Sequence, residues 1–344
     1  MQSSPNIGGQ AVIEGVMMRS PRSFAVAVRR KNGDIVVREG PWRSIWERLR
    51  FLRWPFLRGA VVLVEALHNG LSALTFAANQ AAEDEPEPEG AAPGEKPKEL
   101  SKTALSLTVV AALAIGLLFF LVLPHYLTLL IGAATGVESL RDGQSAPFHL
   151  VDGAIKLLFF VTYVWLIAKL PDIRRVFQYH GAEHKAIWAL EKGEELTVAN
   201  AQKYTTLHPR CGTSFILIVV MMSIFVFSAV LPWLPAFSDK GWLNQAVLVL
   251  VKIPLMFPIA GLAYEMQRLS AKKWGAHPIV RALVWPGLML QKITTQPPTD
   301  AQLEVALVAV RKVLQREAAS EPASGTAESV VERFGSYEDF LAAA

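Results

Sequence analysis

The chain alternates between long apolar runs and polar, basic stretches. Four runs are long enough for a bilayer core, which takes about 20 apolar residues. They cover about 104–134, 153–170, 215–237 and 243–264. The first is long enough to tilt, or to kink at Pro124. The second is bounded by Asp152 and Pro171, with Lys156 and Lys169 near its ends, where their ammonium groups can snorkel. This pattern predicts a mainly α-helical, polytopic membrane protein with four transmembrane helices in a lipid bilayer.

Between the runs the periodicity changes. Residues 24–38 alternate around Asn32-Gly33 and predict a β-hairpin closed by a type I′ turn. Residues 42–79 read as a helix that mixes apolar positions with Arg43, Arg48, Arg50, Arg53, Trp42, Trp46 and Trp54. Basic residues with tryptophan suit a helix lying in the headgroup region; packing on the other cytosolic parts is the alternative. Residues 81–103 are acidic and proline-rich and predict a flexible linker. Thr299 or Asp300 caps a helix running to about Arg316. The expected organisation is therefore a cytosolic or interfacial region over 1–80, the linker over 81–103 and a four-span domain over 104–266, with a cytosolic loop at 171–214. Cytosolic helices over 267–316 and a mostly disordered tail over 317–344 follow, in which the last residues form one more short helix.

Composition supports the membrane reading and charge orients it. Hydrophobic residues make up 52% of the 344 and charged residues only 19%, fewer than a soluble domain carries. The formal net charge of +4 sits beside the apolar runs, which favours membrane orientation over a nucleic-acid partner. Basic residues crowd 19–58 and 171–214, whereas the other two loops hold only Arg141 and Lys240. The positive-inside rule places both termini and the 171–214 loop in the cytosol. The lone cysteine, Cys211, allows no intramolecular disulfide. The start, MQSSPNIGGQ, lacks the basic and apolar regions of a cleavable signal.

The chemistry concentrates in two cytosolic stretches. Tyr179-His180-Gly181-Ala182-Glu183-His184-Lys185 lies on a predicted helix that continues to about Glu191. There His180 and His184 fall one turn apart on one face, so both imidazoles can reach one metal ion, and Glu183 can take a proton from water beside it. Leu207-His208-Pro209-Arg210-Cys211-Gly212-Thr213-Ser214 precedes the third span, with His208 and Cys211 at chelate-like spacing. His180, His184, His208 and Cys211 together would close a structural tetrahedral site. Cys211 has two other readings, as a nucleophile paired with a histidine or as a buried thiol. Glu265, at the end of the fourth span, is either a further ligand or a charge that terminates the span. Glu65 and His68 match a Glu-x-x-His ligand pair, a weak pattern in one copy. Lys252, near the middle of the fourth span, is expected to serve transport or a buried ion pair, with Pro254 and Pro258 opening helix carbonyls to it. Glu14 is a candidate ligand or general base, but is expected instead to pair with Arg19.

Four stretches resemble the bacterial YqhQ family, a family of unknown function regarded as metal-dependent membrane proteins. They are Gly8 to Arg19 (GGQAVIEGVMMR), Tyr179 to Lys185, His208 to Ser214 and Gly287 to Thr295 (GLMLQKITT). The resemblance runs from about residue 6 to about 315 and implies a bacterial cytoplasmic (inner) membrane location. The leading expectation is a membrane-embedded metal-dependent hydrolase, with substrates such as a peptide or lipid ester. His180 and His184 bind a divalent metal, zinc by default for imidazole and thiolate. Glu183 is the base, Arg210 stabilises an oxyanion, and His208, Cys211 and Glu265 compete to complete the shell. The rivals are a non-enzymatic membrane scaffold for a membrane or cytosolic protein partner, and a small transporter of solute or protons using Lys252.

Overall fold

The computed structural model of the chain describes residues 7–45, 49–54, 57–84, 102–272, 278–319 and 329–343. It joins a helical, apolar part to a five-stranded antiparallel sheet. The strands are β1 (Gly8–Val12), β2 (Gly15–Arg19), β3 (Ser23–Arg29), β4 (Ile35–Pro41) and β5 (Val330–Phe334), hydrogen-bonded in that order. The expected hairpin is β3–β4, in register from Ser23↔Pro41 to Arg29↔Ile35. Its turn is not type I′. Only Gly33 has a positive φ there, and its N–H donates to Arg30 O at 3.0 Å while Arg30 N–H donates to Asp34 O. This is the longer connection in which a glycine bulge follows an ordinary turn, so Asn32 is spared the left-handed conformation.

Alternation along the strands gives the sheet two apolar faces. Helix α1 (Leu57–Ala82) covers one, with Ala73, Phe76 and Ala77 on Val12, Met17, Val26, Val28 and Val36. Across Val16, Met18, Ala25, Ala27, Ile35 and Val37 lies the long helix Asp300–Ala319, named α10 below. Thr299 and Gln302 cap it reciprocally, each backbone N–H donating to the other's side-chain oxygen, the capping-box arrangement. Residues 305–310 are all buried, because this helix is enclosed by the sheet on one side and α5 on the other.

The apolar part contains α2 (Lys102–Leu117), α3 (Leu123–Thr135), α4 (Ala146–Ile167), α5 (Pro171–Glu191), α6 (Val198–Gln202), α7 (Gly212–Val230), α8 (Gly241–Lys272) and α9 (Pro278–Thr294). A π-helical turn at Leu118–Val122 links α2 to α3 just before Pro124, whose missing N–H breaks the regular ladder. Among the described residues, five helical stretches are long and apolar enough to cross a membrane: α1, Ser106–Thr135, α4, Gly212–Trp233 and Gly241–Leu269. The expected four are among them and α1 is the fifth. Leu107, Val110, Leu113 and Ile115 of α2 are exposed, as lipid-facing side chains would be.

Several expectations change. The second span begins at Ala146, so Asp152 and Lys156 lie inside it, buried and paired at 2.6 Å, and Lys156 does not snorkel. The helix expected from residue 42 starts at Leu57, and Trp46 and Arg48 lie outside the described residues. Of the expected linker, 85–101 lie outside the described residues, while Asp84 binds Arg30 at 2.6 Å. The expected short terminal helix is α11 (Tyr337–Ala343), which buries Phe340 in the core, but Val330–Phe334 before it is corrected to a strand, β5, which extends the sheet beside β4. Residues 320–328 lie outside the described residues. Helix α8 runs unbroken through Pro254 and Pro258, and Lys252 finds the side chains of Asp152 and His125 instead of freed carbonyls.

Candidate metal centre

Helix α5 starts at Pro171 and runs to Glu191 as the sequence predicts. It presents His180 and His184 on one face, with ring centroids 4.5 Å apart. Cys211, the residue before α7, comes to meet them. One ligand atom each from His180, His184 and Cys211 lies within 4.8 Å of the others, and all three residues are buried. This group could hold a metal ion.

The rings are oriented for it. His180 Nδ1 donates to Thr294 O at 2.8 Å, and His184 Nδ1 donates to Thr206 O. A carbonyl can only accept, so both protons sit on Nδ1 and both Nε2 atoms are left as ligands. Carbonyl partners of this kind fix tautomer and ring angle at metal sites. His180 Nε2 faces Cys211 Sγ at 3.2 Å. Burial alone would raise the Cys211 thiol, but the charges and hydrogen bonds of His180 and His184 overcome it and hold the thiol well below its usual value. Burial likewise opposes charge on His180, yet Cys211 and then Glu183 lift it to about 9. The pair is thus a thiolate beside an imidazolium, and a metal ion would take the place of the His180 Nε2 proton.

Glu183 Oε2 lies 3.9 Å from His180 Nε2. It is pressed under β1, where a Cβ on Gly9 would come within 2.7 Å of Glu183 Cγ. Gly181, which weakens α5 in isolation, is required by tertiary packing: a Cβ there would sit 2.1 Å from Gln296 O. Gln296 N–H in turn donates to Phe177 O at 2.9 Å. The segment that supplies Thr294 O to His180 thus lies directly on α5.

The remaining candidates lie elsewhere. His208 is buried near His184, but its Nδ1 accepts from Arg210 N–H at 3.2 Å and its ring turns to Trp188. Its Nε2 is 3.4 Å from Glu191 Oε1 yet makes no hydrogen bond among the described residues. Burial, with the nearby His184 charge, pushes His208 down to about 4. Arg210 is paired with Glu191, which neutralises it. Glu265 binds Arg58 through both oxygens at the junction of α8 and α1. Glu65 serves Ser44 Oγ at 2.5 Å and Ile45 N–H at 2.8 Å, with Arg19 at 3.6 Å. Glu14 therefore loses its expected partner: it stands at φ 53 and binds Arg175, with Tyr179 Oη 3.3 Å away.

Sequence reasoning did not single out Thr206, Gln267, Gln291 or Thr294 as parts of the site. Gln291 accepts from His208 N–H and donates to His208 O and Ser214 Oγ, at 2.7–2.8 Å. Gln267 donates to Cys211 O at 2.8 Å. A signal existed for Gln291 and Thr294, since both lie in the stretch 287–295 quoted for the family resemblance. All four of those stretches meet here, through Gly9, His180, Cys211 and Thr294.

A family model described as "Protein of unknown function (DUF1385)" matches residues 54–316. The uncharacterized protein YqhQ of Bacillus subtilis (strain 168) is 33% identical over 329 residues, which span 95% of this chain and 98% of that protein. No solved structure matches.

Proposed function

This chain belongs to the DUF1385 family, and from that premise we propose a membrane-embedded hydrolase that uses one divalent metal, zinc by preference, at the cytosolic face of a bacterial inner membrane. The observation that carries the reading is the convergence of two Nε2 atoms and one thiolate with a carboxylate beside them. Three protein ligands leave a tetrahedral ion one position short, the arrangement of catalytic rather than structural zinc. His208, which would close the shell, is turned to Trp188 and Glu191. A metal there supplies Lewis acidity that polarises a carbonyl or phosphoryl oxygen. Among the described residues Glu183 is the one carboxylate within 4.0 Å of a His180 ring nitrogen, and its role is to take and return the proton of the attacking water. Thr294 and Thr206 hold the imidazoles in the ligand tautomer. Arg210 is occupied by Glu191, which argues against the oxyanion role.

A structural clasp is the second reading, favoured by burial: His180, His184 and Cys211 are at most 8% exposed. Metal content separates both readings from a metal-free cluster. Protein purified in detergent without chelator should carry about one divalent metal per chain, lost in His184→Ala. Replacement with cobalt then distinguishes the two. Azide should shift the visible spectrum of an open site and leave a closed one unchanged. Glu183→Gln should keep the metal and abolish complementation of a deletion strain. Absence of metal from the wild type would overturn the proposal.

A further inference from the structure

The spans enclose a second polar cluster, remote from the metal centre. Helix α4 contributes His149, Asp152 and Lys156, α3 contributes His125, and α8 contributes Lys252; none is more than 6% exposed. Lys156 Nζ and Lys252 Nζ both donate to Asp152 Oδ2, at 2.6 and 2.9 Å. Lys252 also donates to His125 Nδ1 at 3.0 Å, so His125 Nε2 carries the proton that reaches Gln245 Oε1 at 3.0 Å. Phe227 of α7 closes the group. Its ring centroid lies 5.3 Å from Lys156 Nζ, 5.5 Å from Lys252 Nζ and 6.2 Å from the His149 ring.

Two counts fail to close. With neutral imidazoles, two ammonium groups face one carboxylate, leaving one positive charge in excess where an uncompensated charge is costly. Hydrogen bonding is unbalanced in the same sense. An ammonium has three N–H donors; Lys252 uses two and Lys156 one in the bonds above. Neither ring nitrogen of His149 has a partner among the described residues, and on the acceptor side Asp152 Oδ1 is bare. Donors and positive charge are therefore both in surplus.

We propose that this cluster binds one small monovalent anion, of the size and charge of chloride. The spare N–H groups of Lys156 and Lys252 and the ring N–H of His149 would hold it, with Asp152 as the clamp that sets the two ammonium groups side by side. Water could satisfy the donors but would leave the charge, and a cation would add to it. Asp152 lies six residues into α4 and Lys252 eleven into α8, about 9 and 16 Å along their helices at 1.5 Å per residue. The site is therefore approached from the end bearing loops 136–145 and 234–240, opposite the end that carries the metal centre, and does not depend on that centre.

The test uses the full-length protein in detergent and chloride itself as the probe. Chloride-35 line broadening should saturate with protein and be reversed by bromide, and far less by sulfate at equal ionic strength. Lys156→Met removes the excess charge while keeping the Lys252–Asp152 pair, and should weaken binding by about tenfold or more. His149→Phe keeps every charge and removes one donor, and should weaken binding several-fold. Broadening that both variants retain would mean adventitious surface binding and would overturn the proposal, as would no saturable broadening in the wild type. If Lys156→Met does not fold, unchanged binding by His149→Phe is sufficient to reject the site.

Discussion

At position 181 only a hydrogen fits, and this decides how α5 meets its neighbours. Alanine improves helix propensity by about 1 kcal/mol, but its methyl would occupy the place of Gln296 O. Gly181→Ala is expected to destabilise by about 1–3 kcal/mol net and to lower metal content, because Thr294 O can no longer hold His180. A melting curve and metal analysis on the same sample check both parts. His208 gives a pH prediction. Its folded value is about 4 against the usual 6.5, so between these limits the unfolded chain takes up a proton that the folded chain refuses. Stability contributed by neutral His208 is thus full above pH 6.5 and lost as pH falls towards 4, by at most about 3 kcal/mol. His208→Gln should flatten the acid limb of the melting-temperature profile; an unchanged limb would reject the assignment. The nearness of His180 to His184 was legible because i, i+4 spacing is a property of the helix itself, whereas Cys211 was one of several candidates to join them. Thr206 and Thr294 were not, since their carbonyls arrive from other elements. Glu14 shows the same limit: Arg19 is nearer in sequence, but the turn at Glu14 aims its carboxylate at Arg175 on α5.

Among the elements, those whose period is set by a single face were readable. The β3–β4 hairpin, α5 and α10 all follow from alternation or helical spacing with an evident cap or turn. The turn type was not, because Asn-Gly fits two hairpin connections and only Gly33 needs a positive φ. β5 was missed because Val330-Val331-Glu332-Arg333-Phe334 is short enough to read as the start of the terminal helix, and becomes a strand only when β4 offers its edge. Removing residues 329–344 should lower the melting temperature and expose that edge, since Phe340 and Tyr337 leave the core with it. A loss worth about 3–5 kcal/mol is expected from the buried aromatic alone; a truncated protein that melts like the full chain would show β5 and α11 to be dispensable.

For the whole molecule, the sharpest question is whether α1 crosses the bilayer. Its 26 residues make about 39 Å of helix, ample for a span. Its contacts point the other way. Gly59 abuts Gly261 near the end of α8, where Arg58 meets Glu265, while Ala73, Phe76 and Ala77 lie under the sheet and Asp84 binds Arg30. A helix bound to the sheet along its second half cannot also traverse lipid without carrying the sheet with it. Cysteines introduced at 32, in the β3–β4 turn before α1, and at 92, after it, should therefore react with a membrane-impermeant maleimide from the same side of the membrane; reaction from opposite sides would make α1 a fifth span. Apolar composition marks these helices as long and apolar enough to cross a membrane but does not distinguish a span from a helix that packs one face on the sheet, because both present apolar surface on more than one side.

The sheet also sets a timetable. β4 ends at Pro41 and its neighbour β5 begins at Val330, 289 positions later. At synthesis rates of about 5–20 residues per second, roughly 15–60 s separate the two strands. Throughout that interval the apolar helices are being made while four strands wait with an open edge. One face also waits, because α10 has yet to leave the ribosome. The sheet is thus exposed to mispairing until α10 and β5 arrive, and β5 acts as the latch that closes its edge.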